Sequence, residues 1–219
     1  QAIPEGRLSH WRGDADTPWG NALIPDTLRV ETDSDYGGML SLSNCEIGLR
    51  RLAQWPSVFR AICMNGCIWD RKNGKQFTQI HRGEINLEDL RTEIFDNLNR
   101  QIPLMAEHVE RFLAMRERKL STKMSKLIAC FASDNSFSTT EATEVLNQFA
   151  EFEKSDRNAF GLINAVTRAG QKFDNDTWFN FDNAAGNIVK MTDGQWESFN
   201  KRADAMDDES VVAAFSVAA

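Results

Sequence analysis

A chain of 219 residues suits one large domain or two small ones, and 42% hydrophobic with 26% charged residues is enough to close a core. The net charge of −7 excludes a basic field over the whole molecule, so binding to a polyanion would need a local cationic face. No apolar run approaches the roughly 18 residues of a membrane span. Four cysteines at irregular spacing do not make a disulfide scaffold, and the expectation is reduced thiols in a cytoplasmic protein. The chain opens on Gln1 without a Met or a signal-peptide pattern, so a trimmed chain is expected.

In chain order, residues 1–22 read as an arm held by Trp11 and Trp19. Leu23 to Val30 is a short strand interrupted by Pro25, and Glu31 to Gly38 is an acidic turn ending in a Gly pair. Met39 to Asn44 alternates as a half-buried strand does. Leu49 to Leu52 adds a second strand, and Pro56 argues against a regular central strand there. Ser57 to Cys63 reads equally as a buried strand or a helical turn. Asn65-Gly66 is a turn signal, since both residues tolerate positive φ, with Cys67 to Trp69 returning. Asn73-Gly74 repeats the signal before Gln76 to His81.

From Asn86 the period lengthens. Asn86 is a predicted N-cap with Asp89 three residues on, and Pro103 should kink or restart the helix. Ser121-Thr122 could cap a piece ending near Phe131. Thr139 or Thr140 caps the next helix, with Glu141 and Glu144 in its first turns. Further helices are predicted over Asp156 to Gly170, over Asp174 to Gly186 and after Asp193. The predicted class is α+β: a small antiparallel sheet unit with its arm over 1–85, packed by a mostly helical part over 86–219, in one compact domain.

Four groups of residues could carry chemistry. Arg60, Asn65, His81, Arg82 and Glu46 could line a pocket for a phosphate or a base edge, or simply satisfy one another around turns. Cys63, Cys67, His81 and Cys45 offer zinc ligand types, but Ile62 and Ile68 beside them favour buried structural thiols and no metal. Arg111, Arg116, Arg118, Lys119, Lys123 and Lys126 form a basic run read as one helix, either a phosphate-binding face or a solvated helix laced with ion pairs to Glu107, Glu110 and Glu117. Asn164 and Arg168 stand one helical turn apart.

The order LSNCEIG, FRAICMNG, HRG and, far downstream, NAVTRA resembles the phage/plasmid-like protein family, also called domain of unknown function 932. The resemblance covers about Leu40 to Gly186. It places motif positions on Ser43, Asn44, Glu46, Gly48, Phe59, Arg60, Cys63, Asn65, Gly66, His81 and Gly83, and distally on Asn164, Ala165 and Thr167. Cys45 departs from it, standing where the family more often has Ser. The resemblance implies a phage or plasmid protein and assigns no reaction.

The leading expectation is a non-enzymatic nucleic-acid-associated protein that binds single-stranded DNA in replication or recombination. Its binding residues would be Arg60, Asn65, His81, Arg82, Asn164, Arg168, Arg116 and Lys119, with no metal, cofactor or membrane. The rivals are an interaction protein that binds a host or phage protein, and a small hydrolase using His81 and Glu46.

Overall fold

The structure is a computed structural model that describes residues 19–23, 36–43, 52–60, 65–68, 77–79 and 86–215. The chain divides into two units, Gln1–Arg111 and Phe112–Ala219.

In the first unit, backbone pairing joins β1 (Trp19–Leu23), β2 (Tyr36–Ser43), β3 (Leu52–Arg60), β4 (Asn65–Ile68) and β5 (Phe77–Gln79). All pairings are antiparallel, in the order β1-β2-β3. The far edge of β3 is shared, with β4 against Ser57 to Arg60 and β5 against Leu52 to Gln54. Four expectations change here, the first being that Trp19 to Ala22, read as part of an arm, lie in β1. Pro56 lies inside β3, between the residues that pair with β4 and those that pair with β5, so among the described residues no strand pairs with it on that edge. Gly37 and Gly38 belong to β2 instead of a turn. Asn65-Gly66 opens β4 as a paired stretch opposite Arg60 and Phe59, where a turn was expected. Trp11 and Asn73-Gly74 lie outside the described residues.

The helix α1 (Leu87–Ala114) starts at Asn86 as expected. Asn86 Oδ1 accepts from the N–H of Glu88 at 3.0 Å and of Asp89 at 3.4 Å, relieving two orphan donors. Pro103 does not break α1. It removes one N–H from the ladder, and the many bonds of a long helix tolerate that loss.

The second unit contains α2 (Met124–Asp134), α3 (Thr139–Phe152), α4 (Ala159–Gly170), α5 (Asn175–Lys190), α6 (Asp193–Asp204) and α7 (Asp208–Phe215). Its centre is α4, AFGLINAVTRAG, in which every residue except Arg168 is buried. A helix apolar on all sides belongs in an interior, and α3 and α5 both pack on it. Their stripes have helical spacing: Ala142, Val145 and Phe149 on α3, and Trp178, Phe181, Ala185 and Ile188 on α5. A Cβ on Gly170 would lie 2.7 Å from Phe181 Cβ and 3.0 Å from Trp178 Cδ1, so glycine lets the end of α4 approach α5. The polar residues of α4 turn inward on the helix itself. Asn164 Nδ2 donates to the Phe160 carbonyl at 2.9 Å, and Thr167 Oγ1 donates to that of Ile163 at 3.1 Å.

The α+β expectation is therefore corrected. Residues 86–215 are helical with no strand among them, and extended pairing there is limited to a single bridge between Lys119 and Asn158. The described core is helix on helix. The physical reason is α4, whose apolar surface on every side gives the other helices a surface to cover without a sheet.

The helix ends show local chemistry at work. Ser138, ahead of the expected Thr139 or Thr140, forms a capping box with Glu141, and Thr192 does the same with Gln195. The end of α2 is a Schellman motif: Phe137 N–H donates to the Ala132 carbonyl at 2.8 Å and Ser136 N–H to that of Ser133 at 3.3 Å. Ser136 holds the left-handed position at φ 56°, where glycine is usual. Phe137 covers the motif, edge-on to Phe131 at 5.6 Å and stacked on Phe181 at 4.3 Å.

Relieving the left-handed strain by Ser136→Gly should stabilise the protein by about 0.5–1 kcal/mol in urea melts, the gain being reduced by the greater freedom of glycine in the unfolded chain. Asp174 caps α5, accepting from the N–H groups of Thr177 and Asp176, both at 3.0 Å. The backbone N–H of Thr177 first, and then its hydroxyl, hold this carboxyl below its ordinary range. A depressed carboxyl contributes stability above its unfolded pKa and loses it as pH falls through the folded one. Asp174→Ala should therefore cost about 1 kcal/mol at neutral pH. In melts at stepped pH, that deficit should shrink as the solution is acidified below the carboxylate range.

Candidate nucleic-acid interface

The basic run from Arg111 to Lys126 is not one helix. It spans the end of α1, a connector over 115–123 and the start of α2, because α1 ends at Ala114. Two elements hold the connector. On one side it meets the turn before α4: Ala159 N–H donates to the Arg118 carbonyl at 2.8 Å, Phe160 N–H to that of Met115 at 3.3 Å, and Leu120 N–H to that of Arg157 at 3.4 Å. On the other side stands α6. Asn200 Oδ1 accepts from Ser121 N–H at 3.1 Å and its hydroxyl at 3.2 Å, and Thr122 Oγ1 donates to Asp204 at 2.8 Å. Trp196 Nε1 donates to the Lys119 carbonyl at 3.3 Å. Ser121 and Thr122 are thus tertiary anchors, where a helix cap was expected. The N-cap of α2 is Lys123, with no side-chain hydrogen bond.

This arrangement sorts the cations. Arg111 pairs with Glu107 at 2.6 Å and Arg118 with Asp193 at 2.8 Å. Lys126 donates to the carbonyls of Asp204 at 3.0 Å and Met206 at 2.6 Å, closing the C-terminal end of α6. Arg116, Lys119 and Lys123 remain exposed without an ion pair among the described residues. The pairing of Leu120 with the Arg157 carbonyl, beside the Lys119–Asn158 bridge, adds a fourth exposed cation, Arg157. The Arg116 guanidinium lies 4.5 Å from the centre of the Phe160 ring, which orients it without neutralising it. Glu117 and Asp156 are the acidic neighbours within these two segments.

The other expected site residues divide differently. Arg60 ends β3 and Asn65 opens β4, paired across the hairpin in the first unit. His81, Arg82, Glu46, Cys45 and Cys63 lie outside the described residues. In the second unit, Asn164 and Arg168 share a helix but not an environment. Asn164 is in the core, while the Arg168 guanidinium sits 4.1 Å above the half-exposed Phe152 ring, with Nη2 3.8 Å from buried Glu153. Cys67 lies in β4, and Cys130 is buried in α2, where burial first, and then the Asp134 carboxylate, pushes its thiol pKa up. Among the described residues, no group of three or more His, Cys, Asp or Glu gathers as a metal site would, and no helix is long and apolar enough to cross a membrane. A hollow of about 310 Å³ beside the Schellman loop is lined by Asn135, Asn180, Asn183 and Glu141 and carries no cation.

No family model, curated protein or solved structure matches the chain. Arg157 was not legible as a site residue because it joins the basic connector through backbone pairing distant in sequence. No residue pattern around it announces that pairing.

Asn200 is buried and satisfies the Ser121 backbone while donating to the Trp196 carbonyl at 2.9 Å. Asn200→Ala should destabilise by about 1–3 kcal/mol, the cost of leaving such groups unpaired. Hydrogen exchange should show the Ser121 amide losing protection in the variant while amides at the centre of α4 keep theirs.

Proposed function

We propose that the chain is a nucleic-acid-associated protein of a phage or plasmid that binds single-stranded DNA through the connector edge. The observation that carries this reading is the set of four exposed, ion-pair-free cations, Arg116, Lys119, Lys123 and Arg157, on two segments bonded to each other. Residues 112–219 hold 12 Lys and Arg against 16 Asp and Glu, a net charge of −4. Within a negative unit, a cluster of unneutralised cations makes a local target for phosphates. The resemblance to the phage/plasmid-like family supports the mobile-element setting. The edge is short and irregular, which suits a flexible single strand better than a rigid duplex groove.

The rival reading, binding to a host or phage protein, is favoured by α7. None of its residues is buried, and Val212 is 62% exposed. The two readings differ in salt dependence. With four phosphates neutralised, binding to single-stranded DNA should fall with salt at a log–log slope of about −3. Arg116→Ala and Lys119→Ala should each flatten the slope by about 0.7. Fluorescence anisotropy with labelled single-stranded and duplex oligonucleotides at stepped salt checks this. Absence of binding at low salt would overturn the nucleic-acid reading, and tighter binding to duplex would overturn the preference for single strands.

A further inference from the structure

The connector contains one cation that its own fold holds back. Arg118 lies between Glu117 and Lys119, with Nη2 2.8 Å from Asp193 Oδ1 and Nη1 3.6 Å from Met115 Sδ. Its side chain is 18% exposed, and that of Asp193 is 89% exposed. Asp193 is the first residue of α6, but the cap there is the Thr192–Gln195 box. The connector is held to α6 by Trp196, Asn200 and Asp204 without it. An ion pair with so exposed a partner contributes little to stability, since water screens it. Its carboxylate nevertheless occupies the one donor group that would otherwise join the exposed cations of the connector.

We infer that Asp193 is an intramolecular competitor for the phosphates, which withholds Arg118 from the nucleic-acid edge until a polyanion displaces it. This rests on the nucleic-acid reading and adds regulation of that site. The edge then has a fifth cation in reserve, and its affinity is set below the maximum its residues allow. Neutralising Asp193 should raise affinity, an outcome that damage to the fold does not produce.

The test is anisotropy of a labelled oligo-dT with the wild type, Asp193→Asn, Arg118→Gln and the double variant. Glu197→Gln, an exposed acid on α6 with no bond to the connector among the described residues, controls for net charge. Asp193→Asn should bind several-fold more tightly, with a slope steeper by about 0.7, one more phosphate contact on a single strand. The double variant should lose that gain, and Glu197→Gln should leave the slope unchanged. If Asp193→Asn has the wild-type affinity and slope while both bind, the competitor role fails and the nucleic-acid reading stands. An equal gain from Glu197→Gln, or a gain that persists in the double variant, assigns the effect to net charge and also overturns it. If neither the wild type nor Asp193→Asn binds, both readings fall together.

Discussion

The second unit depends on burying one helix on every side. α4 places Phe160, Leu162, Ile163, Ala165 and Val166 out of water, each with 0% exposure. At roughly 1.5–3 kcal/mol for each large apolar side chain, this one segment supplies much of the drive to assemble the helices around it. Such burial is tolerable only if the helix carries no unmet polarity. Asn164 Nδ2 and Thr167 Oγ1 reduce that polarity by donating to carbonyls of their own helix. Glycine serves at both ends. A Cβ at Gly161 would fall 2.0 Å from the Asp156 carbonyl oxygen, so only glycine lets the turn at 156–158 fold tightly onto the helix start.

That tight turn has a consequence for the surface. The residues that lead into α4 are the same ones that bond the connector, so the buried helix and the exposed cations are held by one set of backbone bonds. Phe160 shows the link most directly. It is fully buried, packs on Phe112 at a ring distance of 5.3 Å, and carries the Arg116 guanidinium on its face. α6 braces the opposite side of the connector through Trp196, Asn200 and Asp204, and it is tied to the end of α2 by the two-pronged Arg202–Asp134 pair at 2.8 and 2.7 Å. The placement of the cations is thus a property of the helical packing and not of any single helix.

What could be read from the sequence was what short-range chemistry decides. The start of α1 at Asn86, of α5 at Asp174 and the polar loop ahead of α3 were visible, because a cap is a side chain bonding its own backbone two or three residues away. The segment Asp156 to Gly170 was legible as a helix, yet its burial on all sides was not, since neighbours from α3, α5 and the end of α1 complete it. The α+β class failed for a related reason. Alternation and turn signals before residue 86 say which way a backbone extends, but they do not say which elements close a core. Ser121 and Thr122 had the residue types of a cap and became anchors for α6, because Asn200 and Asp204 arrive from far along the chain. The basic run was plain in the sequence as composition. The pair of Arg111 with Glu107 lies one turn apart on a helix, but which of the other cations are spent and which stay available was decided by tertiary structure, for neutralisation depends on an acid or carbonyl within a few ångströms, and Asp193, Asp204 and Met206 are brought there by packing alone.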